Sequence, residues 1–167
     1  IAVEAGKTYI YKVAAIDIAG NVGECSEEFY VTVAEDKEVP VITGMSPADG
    51  ETVGPNVLIK ALAMDNVQLA EIRFEYLAVN SGQEIWTTFE QITVSDRSCL
   101  AEVVWDTTEL TEGDYRIRAI AKDEAGNAGE IYEVKYTLDM TAPAIPVLTA
   151  QTGHFQILLD VSKATEE

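Results

Sequence analysis

The chain has 167 residues, 47% of them hydrophobic and 24% charged, and a formal net charge of -18. That balance is ordinary for a globular protein and long enough for one full core with material to spare. The negative field repels phosphate backbones and anionic lipid, so nucleic acid and membrane surfaces are excluded as expected partners.

In chain order, the first element is an alternating run. Tyr9, Tyr11, Val13 and Ala15 alternate with positions expected to be more exposed, the period of a half-buried strand. Asp17-Ile18-Ala19-Gly20-Asn21 follows as a tight turn, since glycine and asparagine tolerate positive φ and aspartate caps backbone donors. Phe29, Val31 and Val33 then alternate, completing a hairpin. A strand opened by Pro40 is expected up to Met45, and Pro47, Asp49, Gly50, Gly54 and Pro55 read as a loop.

Val57, Ile59, Ala61 and Ala63 form the next alternating set, ended by Asp65-Asn66. Ile72, Phe74 and Tyr76 alternate with Glu71, Arg73 and Glu75. The same segment permits a helix through Leu69, Ile72 and Tyr76, but its aromatic residues and flanking turns favour strand. Asn80-Ser81-Gly82-Gln83 is expected to be a hairpin turn, and residues 85–94 another strand. Cys99, Ala101, Val103 and Trp105 point one way along the following strand. Tyr115, Ile117, Ala119 and Ala121 lead into Asp123-Glu124-Ala125-Gly126-Asn127, and Val134, Tyr136 and Leu138 close a second hairpin.

The two hairpins repeat. At a constant offset of 106, Tyr9, Ala15, Asp17, Ala19, Gly20, Asn21, Gly23 and Glu24 recur as Tyr115, Ala121, Asp123, Ala125, Gly126, Asn127, Gly129 and Glu130. A period near 100 residues is too long for a solenoid and matches an immunoglobulin-type sandwich. The fold class is therefore all-β: tandem modules, the complete one an immunoglobulin-like antiparallel β-sandwich of about seven strands.

The stretch Ser46-Pro47-Ala48-Asp49-Gly50-Glu51-Thr52-Val53, with Ala63-Met64-Asp65-Asn66-Val67, Trp105-Asp106-Thr107-Thr108 and Ala121-Lys122-Asp123-Glu124-Ala125-Gly126-Asn127, resembles the bacterial immunoglobulin-like domains found in tandem in exported proteins. The likeness covers residues 38–140, taken as a complete module. Val3-Glu4-Ala5-Gly6-Lys7-Thr8-Tyr9 resembles the turn into the sixth strand of a fibronectin type III module, with Val3 and Ala5 where leucine and proline are usual. Residues 1–37 would be the C-terminal part of such a module. Pro146-Val147-Leu148-Thr149-Ala150, with Ile157 and Leu159, resembles its first two strands, although the family's tryptophan falls at Val161. Residues 141–167 would be a linker and those strands. The resemblance implies an extracellular or cell-surface setting. Two incomplete modules leave open strand edges, so strand-swapped self-association is a further expectation.

No catalytic or cofactor-binding residues are expected. His154 is the single histidine and is read as an exposed loop residue, which leaves a triad or a histidine-rich zinc site nothing to use. Gly6-Lys7-Thr8 has the tail of a phosphate-binding loop but lacks its leading glycine and its helix. Glu109 and Glu112 are not read as an acid–base pair. Cys25 and Cys99 belong to different modules, so no disulfide within one is expected.

Calcium is the one metal left open. Asp65, Asp123 and Asp139 lie at strand ends or in the linker, where hard oxygen ligands gather near a module junction; turn capping is the competing reading. Trp86 and Phe89 could stack a sugar if exposed, or pack in the core or at an interface. Trp105 is placed in the core, and Tyr115 as a tyrosine corner bonded to the connection that precedes it. The expected function is a non-catalytic spacer in an adhesin-like stalk, its partners the neighbouring modules of the same chain. The alternative is an accessory carbohydrate- or protein-binding module of a secreted enzyme.

Overall fold

The computed structural model describes residues 2–79, 82, 84–145, 148–153 and 156–161, the last two segments by their backbone. The second of the repeated hairpins is built into a two-sheet sandwich. One sheet holds β3 (Val41–Ser46), β5 (Val57–Met64) and β8 (Ser98–Trp105), in the order β3-β5-β8. The other holds β4 (Thr52–Val53), β10 (Tyr132–Leu138), β9 (Gly113–Asp123), β6 (Leu69–Ala78) and β7 (Thr87–Thr93), in that order. Every pairing is antiparallel except β4 on β10. Two sheets whose strands cross between layers in this order make an immunoglobulin-like sandwich.

The alternation predicted from the sequence sets which side chains face inward. Along β5, Val57, Ile59, Ala61 and Ala63 are buried, while Leu58, Leu62 and Met64 are exposed. Along β9, Tyr115, Ile117, Ala119 and Ala121 are buried, opposite Val134, Tyr136 and Leu138 of β10. Trp105 is fully buried at the centre, with the rings of Tyr115, Tyr76 and Phe89 at 5.3, 5.7 and 6.2 Å. The Tyr115 hydroxyl donates to the Thr111 carbonyl at 2.8 Å, the expected tyrosine corner. Tyr136, also buried, donates to the Pro47 carbonyl at 2.7 Å, and burial pushes its phenol well above the usual range.

Two short hairpins complete the described chain: β1 (Thr8–Tyr11) with β2 (Phe29–Thr32), and β11 (Leu148–Gly153) with β12 (Gln156–Val161). The first strand is shorter than the predicted run to Ala15; only an isolated bridge, Ile16 to Val22, continues it. β4 was expected to be loop, and its two residues extend the sandwich to eight strands. His154, Asn80, Ser81 and Gln83 lie outside the described residues. Among the described residues no helix is long and apolar enough to cross a membrane.

Candidate functional site

The repeated turn shares its main hydrogen bonds between the two copies. In the first copy the Asn21 amide donates to Asp17 Oδ1 at 2.8 Å, its side-chain Nδ2 to Asp17 Oδ2 at 2.8 Å, and the Gly23 amide to the Ala15 carbonyl at 2.8 Å. In the second, Asn127 makes the same two bonds to Asp123, both at 2.7 Å, and Gly129 donates to Ala121 at 2.9 Å. Gly20 and Gly126 adopt φ of 90° and 94°, which explains glycine at that place in both copies.

What differs is what the turn touches. Asn127 Nδ2 also reaches the carbonyls of Asp36 and Glu38, each at 3.2 Å, and so pins the segment that enters the sandwich. Pro40 is buried there, with its carbonyl against Gly129. This docking brings Asp36 to Asp123 and to Asp65, which ends β5. One carboxylate oxygen from each lies within 4.8 Å of the other two. Asp123 is almost completely buried, and Asp36 and Asp65 are half-buried.

The cluster's remaining bonds show which oxygens are spoken for. Asp65 Oδ2 caps the amides of Val67 and Gln68 at 2.8 and 2.7 Å. Asp65 Oδ1 is buried with no hydrogen-bond partner among the described residues. Asp36 Oδ1 accepts from the Glu38 amide at 3.1 Å and from Asn66 Nδ2 at 3.2 Å. None of the three carboxylates has an ion pair among the described residues. Three carboxylates at this spacing, with carbonyls alongside, are the hard-oxygen donor set that suits calcium.

Two of the three predicted aspartates, Asp65 and Asp123, therefore meet, and the third does not join them. Asp139 caps the Thr141 amide at 2.8 Å after β10. Asp36 takes the third place. Glu112 holds that later linker: it accepts from the Met140 amide at 2.8 Å and the Thr141 hydroxyl at 2.7 Å. The Thr141 hydroxyl, then the Met140 amide, hold the Glu112 carboxyl below the usual carboxylate range. Glu112 thus fixes backbone.

The two aromatic residues of the possible sugar platform part company. Phe89 packs inward beside Phe74 and Trp105. Trp86, half-buried, lies under the guanidinium groups of Arg118 and Arg116, at 4.0 and 5.3 Å from its ring centre. Arg118 donates to the buried Glu75 at 2.6 Å, and Arg116 forms a two-pronged pair with Glu133 at 2.6 and 2.9 Å. A shallow groove of about 500 Å³ runs beside them, lined among others by Gly50, Val79, Asp114, Arg116, Glu133 and Lys135. Cys25 and Cys99 are both free thiols, and burial raises the Cys99 pKa.

No family profile and no curated protein matches the chain. Solved structures do. An endo-beta-1,4-mannanase from Thermotoga petrophila is similar over 64% of this chain and 21% of its own, at 14% identity and a TM-score of 0.45. The fibronectin(III)-like modules of Clostridium thermocellum CbhA are similar over 62% of this chain and all of theirs, at 17% identity and a TM-score of 0.40. The FN1-FN3 domains of chicken CNTN1 are similar over 94% of this chain and 53% of theirs, at 15% identity and a TM-score of 0.47.

Proposed function

We propose that the chain is a non-catalytic spacer segment of a larger exported protein, in which sandwich modules follow one another and the joint between them is held in a set orientation. The carrying observation is the joint: Asn127, Gly129 and buried Pro40 clamp the entering segment onto the same turn that the repeat places in each module. A spacer transmits position through such joints, and a free linker would not. The resemblance to exported bacterial modules supports an extracellular or surface setting. The sequence carries a single histidine and no G-x-S-x-G or H-E-x-x-H motif, which favours a role without catalysis.

The carboxylate cluster favours a further element of this reading. A calcium ion held by Asp36, Asp65 and Asp123 would stiffen the joint, and the partnerless Asp65 Oδ1 is the atom that most needs it. The test is a melting curve of the full chain with about 5 mM calcium and then with chelator; a ligand at 100 times its Kd stabilises by about 2.7 kcal/mol. The expected result is a rise in Tm with calcium that Asp123→Asn abolishes. No shift in the native chain would end the calcium reading and leave the clamped spacer standing.

The accessory binding-module alternative rests on Trp86 and the groove beside Arg116. Retention of the chain on an immobilised polysaccharide, lost in Trp86→Ala, would replace the spacer reading with it.

A further inference from the structure

The outer face of the three-stranded sheet is apolar where water meets it. Val41, Leu58, Leu62, Met64, Leu100 and Val104 point outward, from 38% exposed at Leu62 to 58% at Leu100. β3, β5 and β8 carry one lysine and one glutamate between them, Lys60 and Glu102, paired at 2.5 Å in the middle of the face. The whole excess of 18 negative charges therefore lies elsewhere. Two copies of the chain repel each other in most orientations, and this neutral face is where they can approach.

We propose that this face is a self-association surface joining two copies of the chain back to back. The strand register makes it self-complementary. Leu58 pairs with Val104, Lys60 with Glu102 and Leu62 with Leu100 at matching heights on β5 and β8. A two-fold axis parallel to the strands and midway between β5 and β8 lays β5 of one copy over β8 of the other. Apolar rows then meet apolar rows, and Lys60 of each copy meets Glu102 of the other, the reciprocal pattern of an isologous contact. The two eight-residue strands that overlap, rising about 3.4 Å per residue and about 4.8 Å apart, give a contact of about 260 Å² per copy. That is about a third of the area per partner of a standard stable complex, so the dimer is weak and forms at high concentration.

Sedimentation of the full chain from about 10 μM to about 1 mM, at about 0.02 and 0.5 M salt, tests this. The expected mass rises with concentration and rises further at high salt, because screening removes the repulsion and leaves the apolar contact. Leu62→Asp with Leu100→Asp, both on exposed positions, should hold the chain monomeric with its melting curve retained. Lys60→Glu and Glu102→Lys should each be monomeric alone and associate when mixed, which general stickiness would not produce. A monomer at every concentration in high salt overturns the proposal. So does a dimer that survives the double aspartate variant; its loss on removing residues 141–167 would then assign it to strand exchange between terminal hairpins.

Discussion

Replacing Gly129 by alanine tests the clamp at the module joint, and the repeat supplies its own control. A Cβ at Gly129 would lie 3.6 Å from the Ala121 carbonyl oxygen, an ordinary contact. It would also lie 3.1 Å from the Pro40 carbonyl carbon and far inside contact with the oxygen bonded to it. Both obstacles are backbone, so relief requires the entering segment to move. Overpacking of this kind costs about 1–3 kcal/mol. Displacement would also strain the two bonds from Asn127 to the Asp36 and Glu38 carbonyls, each contributing about 0.5–1.5 kcal/mol. The sum, about 2–6 kcal/mol, corresponds to a fall in Tm of roughly 10–30 °C for a domain of this size. Gly23, its counterpart in the first copy, sees only the Ala15 carbonyl oxygen, at 3.6 Å. Gly23→Ala should therefore leave the main transition in place, with at most about 1 kcal/mol of gain from a stiffer unfolded chain. Thermal denaturation followed by circular dichroism reads both variants. Equal melting temperatures would refute the clamp.

Trp105→Ala should cost about 3–5 kcal/mol in urea unfolding, since the indole is fully buried among three other rings. Trp105→Phe should cost clearly less, because the buried Nε1 has no acceptor among the described residues and no hydrogen bond is lost; equal losses would contradict this. Tyr115→Phe removes only the bond to Thr111 and should cost about 0.5–1.5 kcal/mol, with a negligible change placing the hydroxyl in solvent instead. Tyr136 is held protonated by burial, and next by the charges of Glu51 and Asp49. Its folded-state pKa lies above the unfolded value, so its contribution is complete below about pH 10 and is lost as pH climbs toward the folded value. Stability should decline above about pH 10, less steeply in Tyr136→Phe; identical slopes would refute the assignment.

The sandwich was legible wherever alternation ran unbroken. β5 and β9 carry four inward apolar residues each at period two, and the structure buries all of them; on β8 it buries Ala101, Val103 and Trp105 and half-buries Cys99. β4 was not legible, because two residues between Gly50 and Gly54 have no period to show. β6 was ambiguous with helix for a physical reason. Its register shifts between Leu69 and Glu71 and between Phe74 and Glu75, so the parity of its buried positions breaks. Phe74 and Glu75 are consequently both buried, and the charge of Glu75 is met by Arg118, 43 residues away. The carboxylate cluster was half legible. Asp65 and Asp123 stand at strand ends that the pattern marks, but Asp36 lies in the run Glu35-Asp36-Lys37-Glu38 and looks like any solvated linker charge. Its place is set by Pro40 docking on Gly129, a contact with no local signature. Asp139 failed as a substitute because it follows Leu138, which pairs with Gly113 at the start of β9, whereas Asp123 stands at the far end of that strand.

The parallel seam of β4 on β10 bears on how the sandwich carries load. Tension applied through Pro40 and Asp139 acts along these two strands in opposite directions, so their crosslinks are loaded in shear, all at once. Those links are short in number but close-set: Gly50 to Lys135 at 2.8 Å, Thr137 to Glu51 at 3.1 Å and Asp139 to Val53 at 3.0 Å, with Asp49 capping the Lys135 amide at 2.8 Å. Peeling a seam breaks one bond at a time, whereas shearing must break the set together. In a force–extension trace the sandwich should give way in a single step at a force well above that of a zipping geometry, and Asp139→Pro, which removes the amide that donates to the Val53 carbonyl, should lower that force.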